Sequence, residues 1–291
     1  MKKNPPIHQV FVAGAGNMGH GIAQVAASAG VNVTLYDVSA DSLRVATEKM
    51  RWSLEKLHAK GLLPESADTV LARIKTTGDL ATAATAGLVV EAVPEREALK
   101  RELFARLDEI CPPQVWFASN TSAIPITNLA AATRRAESFC GMHFFNPVPM
   151  MGLVEVIRGV RTSDAMIATA LAFARQIGKE PVLVKRDCAG FIVNRILAAA
   201  MGEATRLVEA GVADAADVDK AMRLGCAWKM GPLETADLAG LDVALHMFEA
   251  MQHDEMNPVL APPPLLKRLV AAGKLGRKSG EGFYPHTART A

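Results

Sequence analysis

Along the first two thirds of the chain, short apolar and β-branched runs alternate with longer stretches in which apolar residues recur at helical spacing. Gln9–Ala13 is one such short run. After a glycine-rich turn, small apolar residues over Met18–Ala29 predict a helix that stops at Gly30, and Val31–Asp37 reads as the next strand. Ser39–Lys60 predicts a long helix, ended by Gly61 and Pro64. Further strands are expected at Leu88–Val93, Val115–Ser119, Phe139–Phe144 and Leu153–Ile157, with helices such as Ala98–Ile110 between them. Strand and helix in repetition predict an α/β fold, a doubly wound parallel sheet covered on both faces, with a helical extension. From Gly190 onward only helical patterns remain, at Phe191–Ala210, Ala215–Leu224, Leu233–Met251 and Leu265–Ala272, punctuated by Gly211, Gly225, Gly231-Pro232 and Pro262-Pro-Pro264. The expected boundary lies near Asp187, with 1–187 as the sheet domain and 188–291 as an all-α C-terminal domain.

Composition narrows the field. Of 291 residues, 50% are hydrophobic and 21% charged, which suits a sizeable core and excludes a mainly disordered chain. Lys and Arg total 32 against 30 Asp and Glu, so the net charge of +2 makes no electrostatic case for a nucleic-acid partner. Aromatics at 5% offer no base-stacking surface. Cys111, Cys140, Cys188 and Cys226 lie far apart without a CxxC pair and read as small buried hydrophobes in a reducing compartment. His8, His20, His58, His246, His253 and His286 make no metal-ligand pattern, so no metal is expected. No run reaches ~18 uninterrupted apolar residues, so no membrane span is expected. The first six residues leave no room for an apolar signal core, and the expected location is the cytoplasm. The glycosylation sequon Asn120-Thr121-Ser122 is then a chance match.

Gly14-Ala-Gly16-Asn17-Met18-Gly19 stands between an expected strand and an expected helix. In such a turn the first glycine permits a tight bend, the second lets backbone approach a pyrophosphate, and the third lets helix pack on strand. The helix N-terminus adds unpaired N–H groups and the positive end of its dipole. Asp37 closes the second strand eighteen residues beyond Gly19, where a carboxylate binds adenosine ribose hydroxyls and repels a 2′-phosphate. The reading is a Rossmann-type domain for NAD rather than NADP; a tight turn beside a surface Asp is the plain alternative.

His143 ends an apolar run before Phe144-Phe-Asn-Pro147, and twelve residues later Glu155 sits inside Leu153-Val-Glu-Val-Ile157. A carboxylate in a β-branched strand is costly to bury without a partner. An imidazole, ordinarily titrating near ~6.5 and oriented by a carboxylate, is a suitable base for an alcohol proton at neutral pH. Taken alone, a strand His is more often structural and a strand Glu often faces solvent; beside a nicotinamide site, loss of hydride from an alcohol needs such a base. Ser122 follows a strand whose end belongs to the ligand-binding edge of the sheet, and Asn194 lies early in the first helix of the second domain; a turn or cap role is open for each. Lys49, Ser53, Lys56 and Lys60, spaced 4, 3 and 4, form one helix stripe. It is either a solvated face or a rail for a phosphate-bearing substrate arm such as the nucleotide end of coenzyme A.

Several blocks then fall in a telling order: Gly14-Ala-Gly-Asn-Met-Gly-His-Gly-Ile-Ala-Gln24, Ser119-Asn-Thr-Ser122, His143-Phe-Phe-Asn-Pro-Val-Pro149 with Leu153-Val-Glu-Val156, Gly190-Phe-Ile-Val-Asn-Arg195, Met230-Gly-Pro-Leu-Glu234 and Lys278-Ser-Gly-Glu-Gly-Phe-Tyr284. From about Ile7 to Tyr284 the chain resembles the 3-hydroxyacyl-CoA dehydrogenase family. The resemblance implies NAD-dependent, reversible oxidation of (S)-3-hydroxyacyl-CoA, short-chain such as 3-hydroxybutyryl-CoA, to 3-oxoacyl-CoA. It implies His143 as base with Glu155 as its partner, and Ser122 and Asn194 on the acyl-CoA. It assigns cofactor contacts to Asp37, Glu95, Lys100, Ser122, Asn146 and Lys278 beside the glycine turn, and CoA contacts to Ser53, Lys60 and Lys100. It also implies a homodimer joined through the helical domain. Gly152 stands where relatives often carry Lys, and Trp228-Lys229 where an aromatic-Pro pair is common, which bears on acyl-chain length and cleft detail. Two rival readings are a dehydrogenase of a free hydroxy acid or sugar acid, and a non-catalytic NAD-binding protein on the same fold.

Overall fold

The computed structural model describes residues 6–255 and 258–286, and the chain divides into two compact units, Met1–Asp187 and Cys188–Ala291. The first unit is built on eight strands: β1 (Gln9–Ala13), β2 (Asn32–Tyr36), β3 (Ile74–Thr77), β4 (Leu88–Glu91), β5 (Trp116–Ser119), β6 (Phe139–Phe144), β7 (Leu153–Ile157) and β8 (Glu180–Val184). They lie side by side in the order β3-β2-β1-β4-β5-β6-β7-β8. Its helices are α1 (Gly19–Ser28), α2 (Ala40–Ala59), α3 (Ala67–Leu71), α4 (Glu97–Ile110), α5 (Ile126–Ala130) and α6 (Asp164–Gln176). β1, β4 and β6 carry nearly unbroken buried side chains, as strands covered on both faces require.

Strands β1 to β6 run parallel, as the alternation predicts, but β7 pairs antiparallel with β6 and β8 follows parallel to β7. The link 145–152 explains the reversal: it is shorter than the dozen or so residues that a parallel crossover needs. β3 and β8 do not show in the hydrophobic pattern. Both are edge strands. β3 is polar at three of its four positions, and β8 carries Pro181 and exposes Glu180 and Val182, which an edge tolerates and a central strand does not.

Helix α2 begins where the Ser39 side chain accepts a hydrogen bond from Ser42 N, and it buries Leu43, Ala46, Met50 and Leu54 along one stripe. A flanking, exposed face carries Lys49 and Lys56. In the second unit the described elements are helical: α7 (Val193–Glu209), α8 (Ala215–Gly225), α9 (Pro232–Ala239), α10 (Leu241–Glu255) and α11 (Pro264–Ala271), with single 3₁₀ turns. The single helix expected over Leu233–Met251 is two, parted at Gly240, whose φ of +103° an L-residue rarely adopts. Asp219 on α8 accepts from Leu233 N and Glu234 N, so it satisfies the start of α9 from outside. Asp237 gathers Phe283 N, Tyr284 N and His286 Nε2, which ties the C-terminal segment to α9. Met201, Leu241, Phe248 and Met251 form the centre of the core of this unit.

Cys111 and Cys140 are buried as expected, but Cys226 is exposed at the end of α8, where the helix stops and its side chain has no core to enter. Among the described residues no helix is long and apolar enough to cross a membrane, and no group of His, Cys, Asp and Glu could hold a metal ion.

Candidate active site

The turn between β1 and α1 is shaped by its glycines in different ways. A Cβ on Gly14 (φ +106°) would lie 2.6 Å from the Ala92 carbonyl oxygen, and one on Gly19 would lie 1.8 Å from that of Gly14. Packing therefore demands both. A Cβ on Gly16 would meet nothing within 4 Å, so the turn presents bare backbone to open space there. Asn17 and Met18 complete the turn, and Met18, the N-cap of α1, makes no side-chain cap bond. The Asp37 carboxylate, just past β2, accepts from Ala15 N at 2.8 Å and Ser39 N at 2.9 Å, which draws it against the turn. Space above Gly16, a helix start without a side-chain cap and a carboxylate beside it fit the pyrophosphate and ribose of a dinucleotide.

His143 and Glu155 are direct cross-strand partners in the β6–β7 pair. Nδ1 lies 2.8 Å from Glu155 Oε2. The imidazole is 5% exposed and the glutamate 0%, so this charge-capable pair sits in low dielectric, where a hydrogen bond is strong and a lone polar group expensive. With Nδ1–H donated to the carboxylate, the lone pair of the neutral ring is on Nε2. The Phe145 ring packs at 4.4 Å between centroids and limits ring rotation. Such a pair can accept a proton at Nε2 while the carboxylate stabilises the resulting imidazolium.

The ends of β5 and β6 are tied together: Asn120 Oδ1 accepts from Phe144 N at 2.8 Å. The asparagine of the sequon is thus a buried internal acceptor. Ser122 follows two residues later, and Asn146 is exposed in the link after β6. His143, Ser122 and Asn146 therefore come from the carboxyl ends of β5 and β6, the edge at which open α/β sheets bind ligands.

Behind Ser122 stands a network of charges. Ser122 N and Ala123 N donate to Glu95 Oε1 at 2.9 and 3.2 Å, and Thr121 Oγ1 donates to the same oxygen. Glu95 Oε2 lies 3.1 Å from Lys100 Nζ, and Lys100, 1% exposed, also donates to Glu91 Oε1 at 2.6 Å. Burial works against ionisation of Glu95, yet the Lys100 ammonium and the Thr121 and Ser122 donors outweigh it and hold the carboxyl below its ordinary range. Sequence reasoning misses Glu91, although the signal that marks Glu155, an acid within an apolar run, is also present in Leu88-Val-Val-Glu-Ala-Val93.

Lys49 and Lys56 on α2, and Lys60 at its C-cap, are exposed. Ser53 Oγ accepts from Gln24 Nε2 at 2.9 Å. Lys56 Nζ lies 3.7 Å above the ring of Trp52, an exposed aromatic on the same stripe that the charge pattern alone does not reveal. Asn194 and Lys278 belong to the second unit. Asn194 is in the first turn of α7, and Lys278 Nζ meets both Asp242 oxygens at 2.5 and 2.6 Å.

Fold and site together fit a dinucleotide-dependent dehydrogenase. The NAD-binding domain of 3-hydroxyacyl-CoA dehydrogenase matches residues 9–188, and the C-terminal domain of that enzyme matches residues 190–286. A probable 3-hydroxybutyryl-CoA dehydrogenase of Deinococcus radiodurans is 47% identical over 94% of this chain and 99% of its own length. The mitochondrial hydroxyacyl-coenzyme A dehydrogenase of Rattus norvegicus is 44% identical over 96% of this chain and 91% of its own. The crystal structure of (S)-3-hydroxybutyryl-CoA dehydrogenase from Ralstonia eutropha superposes with a TM-score of 0.93 at 42% identity, covering 97% of this chain and 99% of that one. The chain belongs to the 3-hydroxyacyl-CoA dehydrogenase family and is an NAD-dependent oxidoreductase of that family.

Proposed function

We propose that this enzyme oxidises (S)-3-hydroxyacyl-CoA to 3-oxoacyl-CoA reversibly, preferring short chains such as 3-hydroxybutyryl-CoA, with the His143–Glu155 pair as general base. The observation that carries the reading is the buried 2.8 Å bond between His143 Nδ1 and Glu155 Oε2 at the ligand-binding edge of the sheet. NAD, when bound, supplies the acceptor for the hydride of the carbinol carbon. His143 Nε2 takes the hydroxyl proton, and Glu155 holds the ring and stabilises its charged form. Ser122 and Asn194 position the substrate oxygens. The glycine turn (Gly14, Gly16, Asn17, Met18, Gly19), Asp37, Glu95 with Lys100, Ser122, Asn146 and Lys278 hold the cofactor. Ser53, Lys56 and Lys60 serve the CoA arm, whereas Lys100, buried with its ammonium enclosed by Glu91, Glu95 and the Val93 carbonyl, supports the site from behind rather than touching that arm. The short-chain preference is supported by the names of the bacterial relatives.

An NADH absorbance assay with acetoacetyl-CoA, repeated over longer 3-oxoacyl-CoA thioesters, a free 3-oxo acid and NADPH, tests the reading. Turnover highest with the short thioester and NADH is expected; equal rates on the free acid refute the CoA reading. His143→Gln is expected to keep NADH binding and lose about 10²–10⁴-fold in kcat. Residues 1–187 are assigned to NAD and 188–291 to the substrate and to a homodimer in the cytoplasm, and light scattering of the purified chain at twice the monomer mass is the expected result for the dimer.

A further inference from the structure

Glu91 has no part in the chemistry just set out, yet it is 0% exposed at the end of β4, among apolar neighbours. Every oxygen of its carboxylate is used. Oε1 accepts from Lys100 Nζ at 2.6 Å and Val93 N at 2.7 Å, and Oε2 accepts from Ser119 Oγ at 2.5 Å. An ammonium has three protons, and three oxygens surround Lys100 Nζ: Glu91 Oε1, the Val93 carbonyl at 3.2 Å and Glu95 Oε2 at 3.1 Å. The donors of Lys100 are thus satisfied from inside the unit, and its direction is set by a strand residue. Glu95 passes that constraint on, because its other oxygen collects Thr121 Oγ1, Ser122 N and Ala123 N. The chain of contacts starts in the centre of the sheet and ends on the turn after β5.

We propose that Glu91 is a positioning residue, which through Lys100 and Glu95 fixes the Thr121–Ala123 turn in the geometry that receives the dinucleotide. Stability alone does not call for such charges, since a buried ion pair replaced by apolar side chains of similar volume is often neutral or stabilising. What an apolar pair cannot supply is the aimed ammonium that holds Glu95. The inference rests on the assignment of Glu95 and Ser122 to the cofactor.

The full-length protein carrying both Glu91→Leu and Lys100→Met removes the two charges together and leaves an apolar filling. Its melting temperature is expected to stay near that of the wild type. Its affinity for NADH, titrated by nicotinamide fluorescence without any acyl substrate, is expected to fall roughly tenfold or more, as loss of a hydrogen bond to a charged group does. KM for NAD is expected to rise in step, while the pH profile of kcat is unchanged. Wild-type NADH affinity in this variant overturns the proposal, and so does a matching loss of melting temperature and kcat, which marks a merely structural pair. Glu91→Gln, which keeps the volume and the Ser119 bond, gives the second reading: a folded variant that binds NADH like the wild type also overturns it. Because binding is measured without substrate, absence of turnover in the wild type defeats the proposed reaction and leaves this result standing.

Discussion

Glu155 in the middle of β7 and Glu91 at the end of β4 are both 0% exposed acids on apolar strands of one sheet. Their partners separate them. Glu155 meets an imidazole, whose ring nitrogens can each donate or accept a proton. Glu91 meets an ammonium, a compact point charge with three donors, and burial pushes the Glu91 carboxyl up against the pull of Lys100, Ser119 and the Val93 amide. The first pair is suited to moving a proton and the second to holding a direction. The lesson is that burial marks a carboxylate as important, while only its partner tells which task it has.

The comparison can be broken most forcefully at Glu155. Glu155→Gln is expected to lower kcat by about 10²-fold or more with NADH affinity intact, because the base loses its counter-charge and its fixed tautomer; an equal fall in NADH affinity ends the division of labour. Next comes Glu91→Ala, which strands the Lys100 charge in the sheet. A loss of about 3–5 kcal/mol in unfolding free energy is expected from denaturant titration, with most of kcat retained at low temperature. A smaller effect, roughly tenfold in KM for acyl-CoA, is expected from Lys56→Glu with Lys60→Glu, since those lysines are to meet phosphate; an equal change in KM for a truncated pantetheine thioester refutes that assignment.

The smallest effect concerns a carboxylate of a third kind. Burial raises the Asp108 carboxyl, but the Arg134 amide and the guanidinium groups of Arg135 and Arg134 outweigh it and hold the carboxyl below its ordinary range. A depressed carboxylate contributes stability that is fully present above the unfolded value of about 3.9 and is lost as pH falls through the folded value. Urea midpoints are therefore expected to drop below about pH 4, and Asp108→Asn is expected to start lower and flatten that limb. An unchanged slope removes Asp108 from the account.

Much of this was readable along the chain. The central strands appear as apolar runs because both of their faces are covered, and the turn from Gly14 to Gly19 carries its own steric logic. The edge strands β3 and β8 did not appear, because an edge needs neither two apolar faces nor freedom from proline. Nor did the break at Gly240, where one glycine parts what reads as a single helix. Glu91 and Trp52 were passed over, the one for want of a visible partner and the other because its neighbour on the helix face is a lysine rather than an aromatic.

Local order in the polypeptide was enough to specify the alternation of strand and helix, the nucleotide turn, the family motifs and the candidacy of His143 and Glu155, since periodicity and turn chemistry act over a few residues at a time. The reversal of β7, which sets Glu155 opposite His143, and the enclosure of Lys100 between Glu91 and Glu95 arose only on folding. Each depends on the register between segments distant in the chain, and register is set by how whole faces of the sheet pack together.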